Sequence, residues 1–200
     1  MGQSKADLPQ LVDIHTISPT IRLDIRYATD NNFTQSKLYS QARCLLRPTV
    51  ARQLAQVQAD LEPQGLGLKV FDCYRPLAVQ QKLWNLLPDE RYVANPKQGS
   101  RHNRGAAVDL TLVDRTGQEL EMPSVFDDFS ERSHLDYQGA STGAKQHRQL
   151  LQTVMQRRKF TGLATEWWHF DAQDWQQLPV LDTPLEAVPE PQVVSTPARP

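Results

Sequence analysis

Apolar residues recur along this chain with two different spacings. Spacings of three and four residues predict three helices, at 47–65, 77–88 and 142–160. Alternating or continuous apolar residues predict four strands, at 21–27, 66–76, 106–114 and 161–173. Several strands follow one another across turns rather than crossover helices. This order favours an α+β fold in one domain, with a mostly antiparallel central sheet flanked by helices and a cleft over the sheet.

The composition changes near residue 178. Residues 1–177 carry the periodic segments and are expected to form the domain, with residues 1–10 loosely ordered. Residues 178–200, LPVLDTPLEAVPEPQVVSTPARP, are rich in proline and poor in bulky apolar side chains. Such a composition predicts a disordered tail.

Charge and cysteine usage exclude several classes of protein. The net charge is −1 and the basic residues are scattered, so a nucleic-acid partner is not expected. No apolar run is long enough to span a membrane, and the N-terminus lacks the apolar segment of a secretory signal, so the expected compartment is the cytoplasm. Cys44 and Cys73 show no C-x-x-C spacing and are expected to be two reduced, buried thiols.

Three residues have side chains suited to binding a metal ion. His102 lies in a glycine-containing loop, and Asp109 follows inside the apolar strand AAVDLTLVD, where an unpaired carboxylate would be costly. His169, in EWWHF, could be a third ligand. Two imidazoles and a carboxylate suit zinc, and catalytic zinc sites use three protein ligands. Without further context, the first two residues could equally serve in a cap, a turn or an ion pair.

Two further residues could complete a hydrolytic site. Glu166 could take a proton from a metal-activated water, and Arg75, at the end of a strand, could stabilise negative charge on a carbonyl oxygen. Alternatively, the arginine could form a surface ion pair and EWWHF could be core. Residues three apart in a regular strand point to opposite faces, so Glu166 and His169 can share one centre only if the backbone between them is irregular.

Five segments occur in the order found in a known family. SRHNRGAAVDLTL matches the signature S-x-H-x-x-G-x-A-x-D, and EWWHF matches the E-x-x-H element. YRP at 74–76, RYATDNNFT at 26–34 and MPSVFDDFSERSH at 122–134 are similar to its other signature segments. Together, over roughly residues 10–175, the chain resembles the zinc D-alanyl-D-alanine dipeptidases of the VanX type.

The resemblance implies a bacterial enzyme of cell-wall metabolism that hydrolyses D-Ala-D-Ala to two D-alanines with one Zn²⁺ per chain. It implies zinc ligands at His102, Asp109 and His169, with Glu166 as general base and Arg75 as transition-state stabiliser. It also implies substrate-binding residues at Tyr27, Ser100 and Asp127. Tyr27 and Asp127 would bind the substrate's amino group, and Ser100 its carboxylate end. Asp128 competes with Asp127 for this role, but the alignment of MPSVFD favours Asp127.

Two other functions remain open at this point. The first is a D,D- or L,D-carboxypeptidase that trims longer peptidoglycan stems, which would need an open groove rather than a closed pocket. The second is a non-catalytic binding domain on the same scaffold, which would be expected to lack Glu166 or Arg75. The sequence indicates neither the oligomeric state nor the biological role.

Overall fold

A five-stranded sheet forms the centre of the computed structural model, which describes residues 10–190. The strands are β1 (Val12–Asp13), β2 (Arg22–Leu23), β3 (Leu45–Leu46), β4 (Leu66–Asp72), β5 (Ala107–Asp114), β6 (Phe160–Leu163) and β7 (Glu166–Ala172). The helices are α1 (Pro48–Leu61), α2 (Leu77–Leu86) and α3 (Thr142–Arg157). Short 3₁₀ turns connect many of these elements.

The central sheet has the strand order β2-β4-β5-β7-β6. The β2–β4 pair is parallel, and the three other pairs are antiparallel. β1 and β3 form a separate antiparallel pair. The predicted α+β fold with a mostly antiparallel sheet is therefore confirmed.

The helices begin and end where the sequence places the usual signals. Pro48 occupies the first turn of α1, and after a short 3₁₀ extension the chain turns at Gly65 with φ of 73°. Ser141 caps α3 by accepting a hydrogen bond from the backbone N–H of Ala144 at 3.0 Å. Their apolar faces are buried against the sheet. No helix within residues 10–190 is long and apolar enough to cross a membrane.

Two predicted strands differ from the observed ones. The segment predicted as a strand at 21–27 pairs only over Arg22–Leu23, and its end is a 3₁₀ turn at Arg26–Ala28. The strand predicted at 161–173 is a hairpin of β6 and β7 that turns at Ala164 and Thr165. In both segments the apolar pattern continues across a turn, so the pattern alone did not show the break.

The expectation of two reduced thiols is wrong, because Cys44 and Cys73 form a disulfide with their Cα atoms 5.1 Å apart. Cys44 precedes β3 and Cys73 follows β4. The backbone N–H of Tyr74 donates to the carbonyl oxygen of Leu45 at 2.9 Å, which holds these two segments side by side. The cysteines are 29 residues apart in sequence, and tertiary packing alone brings them together.

The expectation of a disordered tail is wrong for residues 178–190, which pack against the domain. Leu181 and Leu185 are buried. The backbone N–H of Leu181 donates to the carbonyl oxygen of Asn103 at 2.8 Å. The hydroxyl of Tyr74 donates to the backbone carbonyl oxygen of Thr183 at 2.9 Å. We call residues 178–190 the C-terminal strap. The predicted loose segment 1–10 and the end of the predicted tail lie almost entirely outside the described residues.

Candidate functional site

The three candidate metal ligands meet at one buried point. His102 Nε2 lies 3.2 Å from His169 Nδ1 and 3.4 Å from an oxygen of Asp109. His169 Nδ1 lies 2.9 Å from the other Asp109 oxygen. All three ligand atoms lie within 4.8 Å of one another. Two imidazole nitrogens and one carboxylate oxygen at such separations fit a single zinc ion with an open fourth position.

The register of the sheet brings two of these ligands together. Asp109 on β5 is the direct cross-strand partner of His169 on β7, and directly paired residues project from the same face. On the opposite edge of β5, Asp109 pairs with Asp72 of β4. The register of β4 shifts between Val70 and Asp72. The three polar side chains therefore form a row across adjacent strands at one end of the sheet.

The backbone between Glu166 and His169 is irregular, as the shared site requires. Leu163 on β6 pairs with Glu166, whereas the preceding Gly162 pairs with Phe170. Moving by one residue along β6 thus corresponds to moving by four residues along β7. The three residues 167–169 therefore form a bulge. Glu166 Oε2 lies 3.9 Å from His169 Nδ1, so the carboxylate is beside the ligand cluster. The predicted departure from a regular strand is confirmed.

A short turn presents His102 to the cluster. His102–Arg104 form one 3₁₀ turn that ends at Gly105 with φ of 64°. A Cβ at that glycine would lie 2.6 Å from Leu11 Cδ2, which explains the glycine of the SRHNRG segment. His102 Nδ1 donates to the carbonyl oxygen of Cys73 at 2.7 Å. This bond fixes the tautomer that leaves Nε2 free to bind a metal.

Arg75 is held rigidly rather than exposed. Its Nη2 and Nε donate to Asp72 at 2.7 and 3.1 Å, and its Nη1 donates to Gln80 at 2.9 Å. Burial opposes the charge on Arg75, but several nearby acidic groups, of which Asp72 contributes most, together outweigh it and raise the pKa of the guanidinium well above its ordinary value. Arg75 lines the same cavity as the ligand cluster. It is therefore a fixed positive charge beside that cluster, and the alternative of a surface ion pair does not apply.

Several positioning residues were not found from the sequence. Asp72 and Gln80 are fully buried and hold Arg75. Asp171 accepts from His169 Nε2 at 2.9 Å, the usual arrangement of a carboxylate that orients a metal-binding imidazole. Asn103 joins two loops, since its Nδ2 donates to the carbonyl oxygen of Arg75 at 2.7 Å. A charged residue inside an apolar strand was the available signal for Asp72 and Asp171, as it was for Asp109.

The predicted substrate-binding residues also line this cavity. The Tyr27 hydroxyl donates to Asp127 Oδ2 at 3.0 Å, although the two residues are 100 positions apart in sequence. Asp127 has φ of 59°, a conformation uncommon outside glycine that is concentrated at functional sites. Asp128 instead accepts from the backbone N–H of Ser130. Ser100 is buried beside the turn of His102. The geometry thus favours Asp127 over Asp128.

Burial controls the charge of the acidic groups. It raises the pKa of Glu166 from 4.5 to about 7, and it raises the pKa of Asp127 well above its ordinary value, with a further contribution from the charge of Asp109. Burial also opposes ionisation of Asp109, but His102 and His169 outweigh it and lower the pKa of that carboxyl. Asp109 is therefore ionised, as a metal ligand must be.

The cavity is small, partly open to solvent and lined on one side by aromatic side chains. Its volume is about 110 Å³. Phe33, Tyr92 and Phe129, from three separate loops, line it and contact one another, with ring centroids 5.1 Å apart for Phe33 and Phe129 and 5.0 Å apart for Tyr92 and Phe129. Pockets for drug-sized ligands typically have volumes of roughly 300–1,000 Å³. This cavity therefore suits a much smaller ligand.

The family model of the M15 peptidases described as D-ala-D-ala dipeptidase matches residues 7–191. The chain belongs to this family. The D-alanyl-D-alanine dipeptidase of Escherichia coli (strain K12) is 38% identical over 176 residues, which covers 88% of this chain and 91% of that protein. The D-alanyl-D-alanine dipeptidase of Enterococcus faecium is 33% identical over 177 residues, covering 77% and 87%.

A solved structure of a D,D-pentapeptidase is also similar to this dipeptidase-family chain. It is a mutant of VanY from a VanB-type resistance cassette, in complex with Zn(II). The TM-score is 0.42 with 18% sequence identity, covering 68% of this chain and 77% of that chain. The family match and the two curated relatives show that this chain is a peptidase-family enzyme.

Proposed function

We propose that this protein hydrolyses D-Ala-D-Ala to two D-alanines in a zinc-dependent reaction with Glu166 as the general base. The observation that carries the proposal is one cavity that contains the His102, Asp109 and His169 cluster together with Glu166 and Arg75. The names of the two curated relatives support the choice of substrate.

Zinc fits the ligand cluster by its donor set and by the separation of its atoms. His102 and His169 each have their other ring nitrogen held by an oxygen acceptor, Cys73 O and Asp171 Oδ1 respectively. This arrangement orients both rings toward a shared metal. When bound, zinc lowers the pKa of a water molecule and polarises a carbonyl group.

Glu166 moves the proton in this proposal. Its carboxylate takes a proton from the attacking water and later delivers it to the nitrogen of the departing D-alanine. General acid–base catalysis of this kind contributes roughly 10²–10⁴ in rate. The carboxylate is buried and lies 3.9 Å from His169 Nδ1, so it is close to the reacting water without being one of the three ligands.

Arg75 stabilises the negative charge that develops on the carbonyl oxygen during attack. The Asp72 and Gln80 contacts fix the guanidinium before substrate arrives, so little reorganisation is needed at the moment of reaction. Loss of one such donor typically lowers kcat by about 10²–10³-fold.

The two ends of the dipeptide bind to different walls of the cavity. Tyr27 and Asp127 hold the substrate's ammonium group, because a carboxylate and a phenol oxygen can both accept hydrogen bonds from it. Ser100, two residues before a metal ligand, holds the carboxylate end. The small volume of the cavity, about 110 Å³, favours a dipeptide over the longer stem peptide of a carboxypeptidase. The presence of both Glu166 and Arg75 argues against a non-catalytic binding domain.

Release of free alanine of either configuration from three substrates, before and after chelation, tests the proposal. The zinc-loaded protein should hydrolyse D-Ala-D-Ala but neither L-Ala-L-Ala nor a pentapeptide stem ending in D-Ala-D-Ala. Chelation should abolish turnover and added zinc should restore it. Activity that persists once metal analysis shows no metal would refute the zinc requirement, and preferred cleavage of the stem would identify a carboxypeptidase.

Variants separate the two roles at this site. Glu166→Gln should keep zinc and lose turnover by about 10²–10⁴-fold, whereas His169→Ala should lose zinc. Glu90→Gln is the matched control, because Glu90 is a carboxylate that lines the same cavity but has an exposed side chain. If Glu166→Gln were as active as Glu90→Gln, Glu166 would not be the base.

The cytoplasmic location expected from the sequence stays a prediction. The Cys44–Cys73 disulfide bears on it, because disulfides persist in oxidising compartments and are rare in the cytosol. Thiol trapping in intact cells, followed by mass determination, measures the state of the pair. A reduced pair supports the cytoplasm, and an oxidised pair indicates an oxidising compartment.

A further inference from the structure

Three arginines line the cavity, and two of them already donate side-chain hydrogen bonds. Arg75 donates to Asp72 and Gln80. Arg91 has a side chain that is 72% exposed and pairs with Asp89 at 2.5 Å. The third, Arg101, lies between Ser100 and His102 in the sequence. Of the three arginines that line the cavity, Arg101 is the one that makes no side-chain hydrogen bond to a described residue.

Arg101 is nevertheless fixed in place. Its guanidinium carbon lies 4.9 Å from the centre of the Trp175 ring, a cation–π contact. Its Nε is buried without a hydrogen-bond partner and lies 3.5 Å from Asp171 Oδ2. Asp171 already binds His169 through its other oxygen. Arg101 thus lines the cavity of the ligand cluster, and its guanidinium makes no side-chain hydrogen bond to any described residue.

The proposed substrate supplies an acceptor of the required charge. A dipeptide at neutral pH has an ammonium group at one end and a carboxylate at the other. The ammonium group has the acidic Asp127 as its partner, whereas Ser100 is a neutral partner for the carboxylate. Enclosing a carboxylate without a positive partner is costly. A guanidinium can bind both carboxylate oxygens through two parallel hydrogen bonds.

We propose that Arg101 binds the C-terminal carboxylate of the substrate, together with Ser100, and so selects for a free C-terminus. This inference rests on the proposed dipeptidase function. Since Ser100, Arg101 and His102 are consecutive, one short segment provides both the carboxylate site and a metal ligand. The distance from the carboxylate site to the metal-ligand cluster is thereby fixed, which limits how many residues can follow the scissile bond.

A competing explanation assigns Arg101 a purely structural effect. The guanidinium is near Asp171, which orients His169, so its removal could weaken the metal site and impair every substrate equally. The two explanations differ in one respect. A carboxylate-binding role depends on the charge at the substrate's C-terminus, and a structural role does not.

Binding measured by calorimetry in the zinc-loaded Glu166→Gln protein separates these explanations without requiring hydrolysis. The ligands are D-Ala-D-Ala and its C-terminal amide, and the added variants are Arg101→Met and Arg101→Lys. Arg101→Met should weaken binding of the free dipeptide by about 10–100-fold, the usual effect of losing a charged hydrogen bond, while changing the amide by less than about 3-fold. Arg101→Lys should recover part of the loss by restoring the charge.

Arg91→Met is the matched control, since it removes the other incompletely buried arginine from the same cavity. It should leave binding of both ligands within about 3-fold. Three results would overturn the inference. Arg101→Met could weaken binding of both ligands equally, Arg91→Met could weaken binding of the free dipeptide selectively, or the parent protein could fail to bind the free dipeptide. Failure of the wild-type protein to hydrolyse D-Ala-D-Ala would instead refute the proposed function, and the binding comparison would still be readable.

Discussion

Reducing the Cys44–Cys73 disulfide should destabilise the enzyme by an amount that follows from its loop length. The two cysteines are 29 residues apart in sequence. The chain-entropy relation for a loop of that length gives a stabilisation of roughly 3.6 kcal/mol at 25 °C. With a urea dependence of about 2–3 kcal/mol/M, the unfolding midpoint should fall by about 1–2 M.

The disulfide is also connected to the candidate metal site by a hydrogen bond. The carbonyl oxygen of Cys73 accepts the hydrogen bond that orients His102, and Arg75 is two residues further along the chain. Once the bond is broken, this segment is held to β3 only by weaker contacts. Reduction should therefore speed the loss of zinc to a chelator as well as lower the unfolding midpoint.

Urea unfolding followed by tryptophan fluorescence, with and without reductant, measures the first effect. Alkylation and mass determination must show that both thiols are free. The Cys44→Ala/Cys73→Ala protein is the control, because its midpoint should not respond to reductant. A fully reduced wild-type protein whose midpoint lies within about 0.2 M of the oxidised one would refute the reasoning.

Three other perturbations have definite expected outcomes. Burial raises the pKa of Asp127, so this carboxyl stabilises the folded state below its ordinary pKa and loses that contribution as pH rises. Asp127→Asn should therefore raise Tm near pH 7, and it should also raise KM. Asp72→Asn should leave Arg75 buried without its counter-charge, lowering Tm and lowering kcat/KM by about 10–100-fold, with zinc retained on metal analysis. Truncation after residue 177 should lower Tm and zinc affinity, whereas truncation after residue 190 should change neither; equal effects of both truncations would contradict a role for the strap.

The sequence predicted the residues that meet at the candidate site better than the residues that hold them in place. His102, Asp109 and His169 each combine an unusual residue type with a recognisable neighbourhood, and the family resemblance joined them into one set. Their supports have only part of that signature, since Asp72 and Asp171 are also charged residues in apolar strands but the family resemblance assigned them no role. Asp171 is one more acidic residue near the end of a strand, and its value lies in the bond to His169. That contact depends on how the strands twist and bulge, which local spacing does not encode.

The disulfide and the strap were missed for a related reason. The proline content of residues 178–190 correctly excludes a helix or strand of any length, but it does not exclude an extended segment that packs on a domain. Leu181 and Leu185 provide the burial, and backbone groups provide the bonds to Asn103 and Tyr74. Two apolar residues among prolines are too weak a signal to identify a docked segment.

The bulge at residues 167–169 makes the chemistry depend on the number of residues between Glu166 and His169 more than on their identity. Exchanging either tryptophan would sacrifice packing and therefore stability. Removing one residue would place the two side chains two positions apart, a spacing that shares one face only in a regular strand, so the present bulge could no longer set their positions. A library that varies the two intervening side chains therefore keeps the spacing of the proposed base and the proposed ligand, whereas a library that varies their number changes it.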